Sequence, residues 1–105
     1  MIYKVVVTSE AEEGLREAYL FVRRDSAVAA RRWALGARRA IRALSRFPAR
    51  CPIAAESREF DRPIRELLYG SGNRGTYRIL FTMIDRTVFV LHVRHGSMRP
   101  LLAEE

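Results

Sequence analysis

The chain has 105 residues, of which 49% are hydrophobic, so we expect one core and a single domain over residues 1–105. No apolar run approaches the roughly 18 residues of a membrane-spanning helix, which excludes such a helix at the level of the sequence. The 19 basic residues exceed the 12 acidic ones by a net charge of +7, and all but Lys4 are arginine. This charge favours a polyanionic partner, either nucleic acid or an acidic protein segment, although the arginine excess also fits a bias in base composition.

The single cysteine and the start of the sequence bear on the compartment. Cys51 cannot form a disulfide within the chain, which fits a reducing cytoplasm. The sequence begins with a strand-like segment, so we expect no signal peptide. No cluster of cysteine, histidine and carboxylate residues has the spacing of a metal site, and we expect neither a metal nor a cofactor.

The first part of the chain predicts a strand and a helix. Residues 2–8 (IYKVVVT) are β-branched and short, as in a strand. Ser9 is expected to cap a helix, with Glu12 completing a capping box. The helix is predicted to continue to about Arg24, because apolar residues recur at helical spacing. These apolar residues are Ala11, Leu15, Ala18 and Val22.

A second helix is predicted after a break at Asp25 and Ser26, where Ser26 caps the new helix. One side of this helix is apolar, and arginines occupy the other sides. Phe47 and Pro48 are expected to end it, because a residue before proline is driven out of the α region. Two helices with so short a connection lie antiparallel as a hairpin. The apolar stripe consists of Ala30, Trp33, Ala37, Ile41, Leu44 and Phe47.

The second half of the chain predicts a loop and three strands. Residues 48–63 contain three prolines and are expected to form a loop. The predicted strands are residues 64–69, 76–83 and 87–94. Residues 70–73 (GSGN) are expected to join the first two of these strands.

The last two predicted strands allow an argument about their register. Directly opposed residues of an antiparallel pair point to the same side of the sheet. If the core-facing residues of both strands are odd-numbered, the numbers of two opposed residues must add up to an even value. Ile84 opposite Thr87 would break this relation, which predicts a three-residue loop over residues 84–86 instead of a two-residue turn. The odd-numbered apolar residues that are expected to face the core are Tyr77, Ile79, Phe81, Met83, Phe89, Leu91 and Val93.

The even-numbered side of these strands is then expected to be an open surface that binds a partner. It would be half apolar and half cationic, which suits an acidic amphipathic segment or a nucleic-acid backbone. We add Arg99 of the tail to this predicted binding surface. Its other residues are Arg78, Leu80, Val88, Val90, His92 and Arg94.

Three segments carry a resemblance to a known family, namely residues 64–67 (IREL), 77–81 (YRILF) and 88–96 (VFVLHVRHG). With the order of the predicted elements, they resemble the RelE/ParE superfamily of toxins, which includes plasmid stabilisation proteins. The resemblance implies an α+β fold with an N-terminal strand, a two-helix hairpin and a three-stranded antiparallel sheet. The helices are expected to pack on one face of that sheet.

The resemblance also implies a partner and a target. Such a toxin is neutralised by a cognate antitoxin, whose acidic amphipathic C-terminal segment wraps it. The complex commonly represses its own operon through the DNA-binding part of the antitoxin. A free toxin of this superfamily either inhibits DNA gyrase, like ParE, or cleaves mRNA at the ribosome, like RelE.

A RelE-like endoribonuclease would need a cation beside the reacting phosphate and a proton donor for the leaving oxygen, and no metal. Arg78 matches the arginine of the family's YR segment and is the first candidate for phosphate stabilisation. Arg65 and Arg94 are second candidates. His95 could transfer a proton, because an unperturbed imidazole titrates near pH ~6.5.

The end of the sequence favours the ParE-like alternative. RelE-like nucleases resemble one another in a tyrosine near the C-terminus, and no aromatic residue follows Phe89 here. The RHG segment at residues 94–96 is more similar to ParE toxins, which need a binding surface and no catalytic group. The RelE-like nuclease and a non-toxic, basic nucleic-acid-binding domain stay open as alternatives.

Overall fold

The protein is described by a computed structural model that covers residues 2–70 and 75–101. Most of the predicted loop at residues 70–73 lies outside the described residues. The order of elements confirms the predicted α+β fold. The helices and strands are β1 (Lys4–Val7), α1 (Ser9–Arg23), α2 (Ala27–Arg42), β2 (Arg65–Tyr69), β3 (Tyr77–Ile84) and β4 (Thr87–His95). Short 3-10 turns cover Ala43–Ser45, Pro48–Arg50 and Ala55–Glu59.

The four strands form one mixed sheet in the order β1-β4-β3-β2. The strand β1 runs parallel to β4, whereas β2, β3 and β4 are antiparallel neighbours. Buried residues of both helices, β3 and β4 form one apolar core, which places the helices on a single face of the sheet. Among the described residues, neither helix has the length and apolarity that crossing a bilayer requires.

Helix α1 is capped by Thr8, so the predicted cap at Ser9 is wrong. The Thr8 hydroxyl accepts a hydrogen bond from the Ala11 N–H at 3.3 Å and donates one to the Val90 carbonyl at 2.8 Å. The same hydroxyl therefore caps the helix and fixes its start to β4, which Ser9 cannot do from inside the helix. The predicted capping box is also wrong, because Glu12 faces α2.

Glu12 of α1 forms an ion pair with Arg38 of α2. Both terminal nitrogens of Arg38 donate to the carboxylate, at 2.9 and 2.5 Å, and these hydrogen bonds lower the pKa of Glu12. The two side chains are 47% and 43% exposed, so water screens the pair. We expect Glu12→Gln to lower the free energy of unfolding by less than about 1 kcal/mol, measured by urea denaturation. A loss above about 2 kcal/mol would contradict this view of the pair.

Helix α2 begins as predicted and ends earlier than predicted. The Ser26 hydroxyl accepts a hydrogen bond from a first-turn N–H at 3.1 Å, which confirms the predicted cap. The helix ends at Arg42, so the prediction that it reaches Phe47 is wrong. Phe47 precedes Pro48 and takes a φ of 49°, and its side chain is 75% exposed. The other members of the apolar stripe are buried: Ala30, Trp33, Ala37, Ile41 and Leu44.

The hairpin of β3 and β4 has a two-residue turn, Asp85 and Arg86, so the predicted three-residue loop is wrong. Asp85 has a φ of 56°, a left-handed conformation that tight hairpin turns need and that aspartate tolerates. Ile84 pairs with Thr87. Opposed residues of β3 and β4 do not keep one parity because the ladder is not regular along its whole length.

A β-bulge makes the ladder irregular. The pairing shifts by one residue between Leu80 and Phe81 of β3, which leaves Leu91 as the extra residue of β4. Such a shift moves alternate side chains to the other side of a sheet. Odd-numbered residues therefore face the core along β3, as predicted, but they do not along β4 between the turn and Leu91.

The bulge changes which β4 side chains reach the core. Val88 and Val90, predicted to lie on the open side, are fully buried in the core under the helices. Phe89, predicted for the core, points the other way by alternation. Beyond the bulge, Val93 is in the core as predicted. The predicted binding surface therefore loses two of its apolar members.

Candidate functional site

The sheet face away from the helices is partly covered by the chain's own loop and tail. Leu80, predicted to lie on an open surface, is 1% exposed. It packs in a second apolar cluster with Ala54 and Ile64 of the loop and Leu101 of the tail. The centre of the face is thus internal, and the prediction of an open face is wrong there.

Arg78 lies on this face and is bound by two carboxylates. Its terminal nitrogens donate to Glu56 at 2.9 and 2.6 Å, and its Nε donates to Glu66 at 2.7 Å. The Arg78 side chain is 12% exposed and that of Glu56 is 0% exposed. The hydrogen bonds to Glu56 raise the pKa of Arg78 further above its usual range. The guanidinium is therefore charged, and its charge is neutralised within the protein.

Glu56 also holds the C-terminal tail in place. Its carboxylate accepts a hydrogen bond from the Leu101 N–H at 3.3 Å. Burial acts to raise the pKa of Glu56, but the hydrogen bonds from Arg78 and the backbone outweigh it and lower that pKa. One ionised group thus joins β3, the loop before β2 and the tail. Glu56 was not predicted from the sequence, because its partners are distant in sequence and it lies in a segment predicted only as a loop.

The other predicted arginines differ in where they lie relative to this ion-pair cluster. Arg94 is directly opposite Arg78, so the two share a face as predicted. Arg94 donates to the carbonyl oxygen of Arg99 at 2.9 Å, which ties the tail to β4. Arg65 opposes the core residue Phe81 and so lies on the other side of the sheet. It donates to two carbonyl oxygens of the preceding loop, at 2.6 and 3.2 Å.

His92, Arg94 and His95 border a cleft of about 470 Å³ between α1 and the end of β4. Burial and the charge of Arg94 lower the pKa of His92, so its imidazole is neutral at neutral pH. Within the described part of the chain, no group of three or more potential ligands could hold a metal ion. Other residues that line the cleft are Glu10, Gly14, Glu17, Phe21, Ser97 and Met98.

The fold places a tyrosine beside His95 that is not beside it in the sequence. Tyr77 is the cross-strand partner of His95, and their ring centroids are 5.1 Å apart in an edge-on arrangement. The Nδ1 of His95 is hydrogen bonded to the Ser97 hydroxyl at 2.7 Å. Tyr77 is 5% exposed, and burial raises the pKa of its phenol. His95 therefore has a tyrosine neighbour in the fold, but most of that tyrosine side chain is buried in the core.

The family of the chain follows from comparisons with known proteins. A family model described as the ParE toxin of the type II toxin-antitoxin system, parDE, matches residues 5–100. The chain belongs to this family. The comparison confirms the predicted class, a toxin of a type II toxin–antitoxin system, whose partner is a cognate antitoxin.

The fold of this ParE-family toxin is similar to that of a solved structure described as the chromosomal ParDE TA system from P. aeruginosa. The TM-score is 0.67 and the identity is 15%, over 90% of this chain and 96% of that chain. At this identity the likeness shows the fold alone. A comparison with curated proteins found no match.

Proposed function

We propose that this ParE-family toxin binds DNA gyrase and inhibits it, and that a cognate antitoxin neutralises it by covering its surface. The state of Arg78 supports this proposal over RNA cleavage. A cleaving toxin would use this arginine to meet a phosphate. Here the guanidinium already donates its hydrogen bonds to Glu56 and Glu66. Two carboxylates beside one cation leave a net negative charge, which repels a phosphate. A toxin that acts by binding needs no such phosphate site.

Purified toxin is expected to inhibit the supercoiling of relaxed plasmid by gyrase and to accumulate cleaved DNA. The matched control is the same toxin incubated first with the product of its antitoxin gene, which should restore supercoiling. Gel electrophoresis of the plasmid measures both outcomes. Normal supercoiling at an excess of toxin would contradict the proposed target.

A second candidate function, cleavage of translated mRNA at the ribosome, is favoured by the contact between His95 and Tyr77 near Arg94. An imidazole and a phenol in contact are groups that general acid–base catalysis uses. Primer extension on mRNA isolated during toxic expression distinguishes this candidate. Cuts that disappear with His95→Gln would support it over gyrase inhibition, and intact mRNA would exclude it.

A further inference from the structure

The net charge of the toxin is concentrated in one segment of the chain. Residues 26–55 contain seven of the 19 basic residues and none of the 12 acidic residues. The remaining 12 basic and 12 acidic residues cancel, so this segment accounts for the whole net charge of +7. Helix α2 makes up more than half of this segment and carries five of its seven basic residues.

The arginines of α2 lie on the side opposite its buried stripe. At about 100° per residue, positions 28, 31, 32, 35, 38, 39 and 42 fall within about 120° of the helix circumference. Among the described residues, only Arg38 of this set forms an ion pair. The four other arginines of this sector are exposed: Arg31, Arg32, Arg39 and Arg42. Arg39 and Arg42 are three residues apart and repel each other. Within the residues that the structure describes, no carboxylate neutralises the four exposed arginines on this side of α2.

Two exposed apolar side chains run along the middle of the same sector. Val28 and Leu35 are 69% and 58% exposed and lie seven residues apart, so they stand in line along the helix. We call these two residues and the four exposed arginines the arginine face. Such a surface fits an amphipathic helix. The apolar line of that helix would pack on the apolar line of the surface, and opposite charges would lie on each side. A nucleic-acid backbone would satisfy the arginines but leave Val28 and Leu35 in water.

We propose that the arginine face binds an acidic amphipathic helix of the cognate antitoxin. Aliphatic residues of that helix would cover Val28 and Leu35, and its carboxylates would pair with the flanking arginines. The inference rests on the proposed neutralisation by an antitoxin and names the surface that the antitoxin occupies. This surface is the outer side of the helical hairpin, away from the sheet face whose centre the toxin's own loop and tail cover.

Binding of purified toxin to three fluorescent probes tests the proposal. The first is a synthetic helix of about three heptads with a leucine stripe flanked by glutamates. The second has lysines in place of the glutamates, and the third is a short DNA duplex. By fluorescence anisotropy, we expect the glutamate helix to bind, its affinity to fall as salt rises, and the lysine helix not to bind. Tighter binding of the duplex than of the glutamate helix would overturn the proposal in favour of nucleic acid.

A charge-removal variant locates the binding surface. The triple substitution Arg31→Gln, Arg39→Gln and Arg42→Gln is expected to weaken binding of the glutamate helix by at least about 10-fold. The substitution Leu35→Asp should weaken it by a similar factor, because it places a carboxylate on the apolar line. Circular dichroism should show unchanged folding, since all four positions are exposed.

The matched control removes the same charge from α1 and the residue that follows it. Arg16, Arg23 and Arg24 are exposed and lie off the arginine face, and their triple replacement with glutamine should change binding by less than about 3-fold. An equal loss in both triple variants would mean attraction by net charge alone and would overturn the arginine face. Neither result depends on gyrase, so a failure of the proposed target is distinguished from a failure of this surface.

Discussion

Glu56→Gln is expected to lower the free energy of unfolding by about 3 kcal/mol or more. The carboxylate is 0% exposed and accepts hydrogen bonds from both terminal nitrogens of Arg78 and from the Leu101 N–H. Glutamine has no charge and one acceptor oxygen, so the substitution leaves the Arg78 guanidinium buried with only Glu66 as counter-ion. Urea denaturation at neutral pH, followed by circular dichroism, measures the loss.

Two variants control for this result. Glu59→Gln lies in the same 3-10 segment but is exposed, so it should change stability by no more than about 0.5 kcal/mol. Replacing the pair with Glu56→Leu and Arg78→Met should recover part of the loss, because apolar residues of similar volume remove both buried charges and leave only the carboxylate of Glu66, which is 23% exposed. A loss below about 1 kcal/mol in Glu56→Gln alone would contradict the role assigned to the ion pair.

The pH dependence of the same loss identifies its cause. In the folded toxin the pKa of Glu56 lies below its usual 4.5, because the hydrogen bonds from Arg78 and the backbone outweigh burial. A carboxyl with a lowered folded pKa stabilises the fold above its unfolded pKa and loses that contribution as the pH falls through the folded pKa. The difference between wild type and Glu56→Gln is therefore expected to shrink below pH 4.5.

Gly14→Ala is expected to destabilise the toxin by about 2 kcal/mol, although alanine ordinarily favours a helix by about 0.5–1 kcal/mol over glycine. A Cβ at position 14 would overlap with the carbonyl oxygen of Val93, because α1 rests directly on the β4 backbone at this point. A strand backbone cannot rotate away as a side chain can. Helix α1 would have to move off the sheet, which loosens the core. Thermal and urea denaturation measure the change.

Gly36→Ala on α2 is the matched control for this substitution. A Cβ at position 36 would meet the hydroxyl of Tyr69, which is the end of a side chain and donates to the Trp33 carbonyl at 2.8 Å. Tyr69 can shift at the loss of one hydrogen bond, so the expected cost is about 1 kcal/mol. A neutral or stabilising Gly14→Ala would mean that α1 does not rest on β4 as described.

Local periodicity accounts for what was predicted correctly. The buried residues of α1, and the stripe of α2 from Ala30 to Leu44, follow helical spacing, which depends only on geometry within one helix. The shared face of Arg78 and Arg94 was also predictable, although by a register that the bulge corrects. The arginine face was visible as a cluster of charge. That these residues form an open surface could be seen only from the structure, in which nothing within the described chain covers them.

The sequence by itself determined the element order, most of the helical core and the family, because these depend on short repeats and short motifs. The tertiary structure decided the bulge at Leu91, the counter-ions of Arg78 and the contact between His95 and Tyr77. Each of these joins residues from separate elements, so its energy depends on how the elements pack. For that reason the arginine that sequence patterns assign to a phosphate is, in the folded chain, the partner of Glu56.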